Sequence, residues 1–191
     1  MFDYVSQYID SISALENWSL ANPSQFHHSA VLIPIVLKNN KPYIILTRRS
    51  QHLNHHPGQI SFPGGRAELG DKNAIDTALR ETYEEIGLTQ QEINIAGFID
   101  QYTTVSNFII TPVVGIINSN YQTQIDPVEV DYIFEVPCKI LLDASNYQRN
   151  EIYWQGGNRQ FWEISYDGHH IWGATAAILR NMALRLAGIK Y

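Results

Sequence analysis

Three carboxylates, Glu81, Glu84 and Glu85, stand in the segment Arg80-Glu81-Thr82-Tyr83-Glu84-Glu85-Ile86-Gly87-Leu88, downstream of a Phe62-Pro63-Gly64-Gly65 turn. At about 100° per residue, Ile75, Ala78, Leu79, Thr82 and Ile86 form one core-facing helical stripe. Glu81 and Glu85 lie one turn apart on its flank, whereas Glu84 points away and Arg80 lies round the same far side. Like charges at i, i+4 repel by roughly a few tenths of a kcal/mol, a cost that a bound cation offsets. A hard divalent cation such as Mg²⁺ takes oxygen ligands, commonly one or two carboxylates together with substrate phosphates. Three glutamates on a solvated face is the plainer reading; the flank position and the glycine turn favour metal. Gly64 and Gly65 have no side chains to obstruct the approach of a backbone carbonyl to such an ion.

These groups need a turn, a polar loop and a helix of about four turns. Asp71 or Asn73 can cap the helix start by accepting from its orphan amides. Gly87 sits where a left-handed residue closes a helix, and Leu88 supplies the hydrophobic contact that follows.

The chain of 191 residues suffices for one well-cored domain with a small appendage. A net charge of −6 argues against general binding to nucleic acid or to an anionic membrane. Yet 7 of the 13 Lys and Arg residues lie between Lys38 and Arg80, around the acidic helix. Arg48, Arg49 and Arg66 are candidate clamps for substrate phosphates, because a guanidinium fork matches phosphate oxygens. One of the three is expected to contact substrate. The lone Cys138 excludes an intrachain disulfide and reads as a small buried hydrophobe. No apolar run reaches membrane-spanning length and no basic leader opens the chain, so the cytoplasm is the expected location.

Residues 2–19 carry apolar residues at helical spacing (Phe2, Val5, Ile9, Ile12, Leu15), interrupted afterwards by Asn22-Pro23-Ser24. Residues 1–28 are therefore assigned to an amphipathic helix and linker, and 29–191 to the main domain. That helix offers a surface for the domain or for a homodimer. Strands are expected over 30–37, 42–49, 93–101, 108–117 and 130–136, with a hairpin over 151–154 and 160–166. From Ile171 the residues Trp172, Ala176, Leu179, Met182, Ala183 and Leu186 outline a terminal helix. Strands, a helix, more strands and a last helix give an α+β architecture, a mixed sheet between helical layers.

The stretch Gly65 to Leu88 resembles the Nudix box, whose Arg-Glu-x-x-Glu-Glu-x-Gly-apolar ending matches residues 80–88. Asp71 takes the upstream acidic position, one residue further from the arginine than is common and with Asp in place of Glu. Leu46-Thr47-Arg48-Arg49-Ser50, Gly58 and Phe62-Pro63-Gly64-Gly65 resemble the signature of the coenzyme A pyrophosphatase branch. Thr111-Pro112-Val113-Val114-Gly115 and Ile171-Trp172-Gly173-Ala174-Thr175-Ala176 are similar to further hallmarks of it. Asn54 departs from the arginine that this branch carries.

The resemblance implies a Nudix fold, an α/β/α sandwich, and metal-dependent hydrolysis of coenzyme A to 3′,5′-ADP and 4′-phosphopantetheine. Mg²⁺ or Mn²⁺ would be held by Glu81 and Glu85 with Glu84 alongside. Arg80 would serve as a structural ion pair orienting a catalytic glutamate. Family members often draw a general base from outside the box; Glu129 and Asp131 are the nearest candidates, and ordinary surface acids are the plainer reading of both. Glu135 shares a face with Asp131 if the strand is regular. His52, His55 and His56 read as loop residues, and Trp154 and Trp162 could stack on adenine or belong to the core. The same box also fits ADP-ribose, a dinucleotide cofactor such as NADH or a dinucleoside polyphosphate as substrate. A non-catalytic nucleotide sensor is disfavoured by the presence of all three glutamates.

Overall fold

Val, Ile and Leu dominate His27–Lys38 (β1) and Lys41–Arg49 (β2), and a two-residue turn joins the strands. Asn39 and Asn40 both have positive φ (50° and 59°), as the hairpin turn matching strand twist requires. The computed structural model describes Asp10, residues 26–154 and residues 156–189. Further strands are Ile60–Ser61 (β3), Gly64–Arg66 (β4), Ile93–Phe98 (β5), Tyr102–Thr103 (β6), Phe108–Ile117 (β7) and Val130–Pro137 (β8). They form one mixed sheet in the order β3-β2-β1-β7-β5, with β4 against β1, β6 against β7 and β8 against β2. The β1–β7 pairing is parallel and the others are antiparallel.

Side chains alternate across β1, so each face of the sheet builds its own core. On one face Leu32, Val36, Ile45 and Val113 pack with Ala74, Ala78, Leu79 and Ile86 of the helix Ala74–Ile86 (α1). On the other, Ile33, Ile35, Ile44 and Leu46 pack with Ile178, Leu179 and Met182 of the helix Ala174–Leu186. A short helix, Cys138–Leu141 (α2), precedes that one (α3) and also joins the second core. Cys138 is buried, and burial pushes its thiol up to about 12, as a small core residue requires. The α+β sandwich is thus the observed architecture.

Two elements differ from the sequence reading. Ile171 and Trp172 do not begin a helix; they belong to His169–Trp172 (β11), which pairs with Gly157–Tyr166 (β10) and, through it, with Gln148–Trp154 (β9). Asp167 and Gly168 take positive φ (46° and 77°) and turn the chain back, and Gly173 at φ +67° separates strand from helix. The strand expected over 93–101 ends at Phe98.

The amphipathic helix expected over 2–19 lies outside the described residues, apart from Asp10. At Asp10 the chain forms an isolated antiparallel bridge with Phe98 rather than helix. Asp10 N–H donates to the Phe98 carbonyl (2.9 Å), which gives a partner to the edge of β5. Arg185 of α3 binds Asp10 (2.9 Å) and Asp100 (3.0 Å) across the same edge.

Candidate active site

Asn73, not Asp71, caps α1: its side chain accepts from the amides of Ile75 (2.9 Å) and Asp76 (3.1 Å). Asp71 accepts instead from Arg80 Nε (3.1 Å), Arg80 Nη2 (3.0 Å), Thr77 Oγ1 (2.8 Å) and the Glu68 amide (2.9 Å). Gly87 closes the helix as expected, at φ +73° with its N–H on the Tyr83 carbonyl. Arg80 is the hub of an ion-pair network: Nη1 donates to Glu81 (3.0 Å) and Glu84 (2.9 Å), and Nη2 donates also to the Arg66 carbonyl (3.0 Å). This is the ion pair the resemblance implies, and it fixes Glu81.

The helix places Glu85 deeper than the flank that its spacing suggests, at 2% exposure. The cause is β4, which folds over α1 and donates the Gly64 N–H to Glu85 Oε2 (3.1 Å). The Arg49 guanidinium faces the other oxygen at 3.8 Å, too far for a hydrogen bond. Both glycines are needed for this overlap. A Cβ on Gly65 would sit 2.4 Å from Glu81 Oε2, and one on Gly64 2.5 Å from the Ala30 carbonyl oxygen.

Burial pushes the Glu85 carboxyl up to about 8; the Gly64 N–H and Arg49 oppose the shift, and the charges of Glu81 and Glu129 add to it. Burial also raises Glu81, against the pull of Arg80 and with the push of Glu84 and Glu129. Glu129 therefore bears on both carboxylates. Its N–H donates to the Asp126 carbonyl (3.1 Å), and its carbonyl accepts from the Ser50 amide (2.8 Å).

The donor set fits a hard cation. Burial disfavours ionisation of both Glu81 and Glu85, and the Arg49 guanidinium facing Glu85 stands beyond hydrogen-bond reach. Among the described residues no three His, Cys, Asp or Glu side chains converge as a ready-made cage. Few protein ligands, completed by substrate phosphates, is the usual Mg²⁺ arrangement. Glu84 is exposed and held to Arg80 rather than turned inward. Beside it, between Tyr83–Glu84 and Gln124–Pro127, runs an open groove of about 420 Å³.

The remaining candidates disperse. Arg66 is exposed, its guanidinium 3.0 Å from His27 Nδ1. Arg48 turns from Arg49 toward Tyr132 and Asp131. Glu135 lies at the other end of β8, held by Lys38 (2.6 Å) and Tyr121. His52, His55 and His56 are exposed. Trp162 does not offer a face for adenine: the Arg180 guanidinium lies 3.8 Å from its ring centre, with Arg149 also over it at 5.7 Å. Of Trp154 only the backbone, in β9, is described. Sequence reasoning passed over Tyr132, beside Arg48, and His169, beside Tyr132; the Asp167-Gly168 pair, a strong hairpin signal, would have found the turn that delivers His169.

A carboxylate pair set in a helix beneath a glycine turn of a mixed sheet defines the class: a hydrolase of phosphoric anhydrides. Residues 26–152 match the family model described as NUDIX domain, and the chain belongs to the Nudix hydrolase family. It is a pyrophosphohydrolase, and Nudix hydrolases generally use divalent metal ions such as Mg²⁺ or Mn²⁺. A Yersinia enterocolitica protein named uncharacterized Nudix hydrolase NudL is 40% identical over 157 residues, 82% of this chain and 80% of that protein. A Salmonella typhimurium protein of the same name is 36% identical over 182 residues, 92% of this chain and 94% of its own length.

Among solved structures, a MutT/nudix family protein from Enterococcus faecalis superposes with TM-score 0.52 at 12% identity, covering 98% of this chain and 78% of that one. The C. elegans Ap4A hydrolase in a binary complex gives 0.50 at 17% identity, covering 59% and 81%. At such identities the likeness concerns the fold alone. Among the described residues no helix is long and apolar enough to cross a membrane.

Proposed function

We propose that the substrate is coenzyme A or an acyl derivative, cleaved at its pyrophosphate to 3′,5′-ADP and 4′-phosphopantetheine or its acyl form. The observation that carries this reading is a convergence around β3 of segments that resemble the coenzyme A branch. Thr47 and Arg48 pair with Ser61 and Ile60, Gly64 reaches Glu85, and Thr175 Oγ1 donates to the Ile60 carbonyl (3.2 Å).

Glu81 and Glu85 would hold the cation, Mg²⁺ or Mn²⁺, with the exposed Glu84 as a third acidic group. When bound, such an ion neutralises the diphosphate and lowers the pKa of an attacking water. The chain's own part is positional. The Gly64 N–H and Arg80 orient the two carboxylates, Arg49 faces the diphosphate, and Glu129 takes the proton from water as it attacks phosphorus. The bridging oxygen leaves with the other phosphate, so one anhydride and one water become two phosphomonoesters.

A second reading keeps the machinery and substitutes ADP-ribose, NADH or a dinucleoside polyphosphate. It is favoured by Asn54, an exposed loop residue where the branch carries arginine. Incubation of the purified protein with Mg²⁺ and coenzyme A, ADP-ribose, NADH or a dinucleoside polyphosphate, with products identified by mass, separates the two. Coenzyme A is expected to give 3′,5′-ADP; turnover of ADP-ribose, NADH or the dinucleoside polyphosphate alone overturns the first reading, and turnover of none overturns both.

A further inference from the structure

The end of β2 presents two arginines to opposite faces of the sheet. Arg49 faces Glu85. Arg48, one residue earlier, emerges on the other face over the Tyr132 ring, its guanidinium carbon 5.5 Å from the ring centre. Its polar contacts are loose: 3.4 Å to Tyr132 Oη and 4.0 Å to Asp131. By contrast, the guanidiniums of Arg80 and Arg185 each hold carboxylates at about 3 Å. Arg48 is thus a partly exposed cation whose nearest counter-charge among the described residues, Asp131, stands 4.0 Å away.

The ring beside it is part of a platform. Asp167 and Gly168, both at positive φ, reverse β10 into β11 and bring His169 onto the sheet. There its ring stacks on Phe134 (3.8 Å, 11°) and meets Tyr132 edge-on (5.8 Å). The Tyr166 carbonyl fixes the His169 ring at Nδ1 (3.2 Å). A fork-shaped cation next to half-buried aromatic rings suits a phosphate attached to a nucleoside, the first gripped by the guanidinium and the second packed on the rings.

Resting on the coenzyme A reading above, we propose that Arg48, with Tyr132 and His169, forms the subsite for the adenosine 3′-phosphate end of the substrate. The pantetheine arm carries neither charge nor aromatic ring, so it has no use for this patch. The groove beside Glu84 is lined by Glu84 and Asp126 and repels a phosphate. Among the described residues, Asp131 is the carboxylate within 4.0 Å of the Arg48 guanidinium, and it opposes the site.

The test compares coenzyme A with dephospho-coenzyme A, which lacks only the 3′-phosphate, for wild type, Arg48→Gln and Asp131→Asn. Binding of 3′,5′-ADP and of AMP is measured by calorimetry in parallel. Wild type is expected to prefer coenzyme A. Arg48→Gln is expected to lower the ratio of the two kcat/KM values about 10- to 100-fold, the worth of one charge-assisted contact, and to weaken 3′,5′-ADP far more than AMP. Asp131→Asn is expected to raise that ratio. A wild type indifferent to the 3′-phosphate, or an Arg48→Gln variant whose ratio is unchanged, overturns the subsite. A wild type that cleaves ADP-ribose but neither coenzyme overturns the underlying reading instead, a distinguishable result.

Discussion

At the scale of single residues, Glu85 concentrates the chemistry and the tension of the site. Helical spacing places it beside Glu81, but not the fact that β4 would close over it, since that burial depends on residues twenty positions upstream. Its ionised form is disfavoured in the folded protein, with a carboxyl pushed up from 4.5 to about 8 by burial first. A raised carboxyl pKa means that its contribution to stability is complete below pH 4.5 and is lost as pH rises through 8. With a chelator present, the melting temperature is therefore expected to fall between pH 5 and 9, and Mg²⁺ should restore more of it at the alkaline end. A Glu85→Gln variant keeps the volume and removes the charge, so its melting temperature should lack that alkaline decline. Its turnover should drop by about a thousandfold, since a metal site supplies several kcal/mol to the transition state. Near-normal turnover in Glu85→Gln would show that Glu85 is no ligand.

Elements explain why two glycines precede the helix. The turn signal was plain in Phe62-Pro63-Gly64-Gly65, but it reads as open space for an ion. In the fold that space is filled: Gly64 closes onto β1 and Gly65 onto the Glu81 carboxylate. Gly65→Ala must displace Glu81 or lift β4 by a few tenths of an ångström or more. We expect kcat to fall about 10- to 100-fold, the effect of a small misplacement, with a far smaller loss of thermal stability. An active Gly65→Ala enzyme would mean that Glu81 is free to move without consequence. The strands around this turn were legible because β-branched residues crowd 30–37 and 42–49. The β11 strand was not, because Trp172, Ala176 and Leu179 also satisfy a helical period and only Gly173 marks the change.

Across the whole molecule, the site draws on four segments remote in sequence: the end of β2, the start of β4, α1 and the loop leading into β8. Local pattern identifies each segment and cannot say which meet; the parallel β1–β7 pairing and the path of residues 118–129 are tertiary facts. That path has a clear cause. The Gln124 and Asp126 amides donate to the Ile86 and Glu85 carbonyls (2.9 and 3.0 Å), giving partners to the last turn of α1. Gly87 permits it, since a Cβ there would lie 2.9 Å from the Gln124 backbone. The loop then holds Glu129, pinned through its backbone by Ser50 and Asp126, within electrostatic range of the carboxylate pair. Glu129 adds to burial in raising Glu85 and Glu81, whereas Glu135 is tied up by Lys38 and Tyr121. Of the acids that the sequence offered as a base, Glu129 combines a fixed backbone with electrostatic reach to both Glu81 and Glu85. Glu129→Gln should lower kcat by about 10²- to 10⁴-fold while Mg²⁺ binding and melting temperature stay close to wild type. Near-normal kcat in Glu129→Gln would assign the proton transfer to another group.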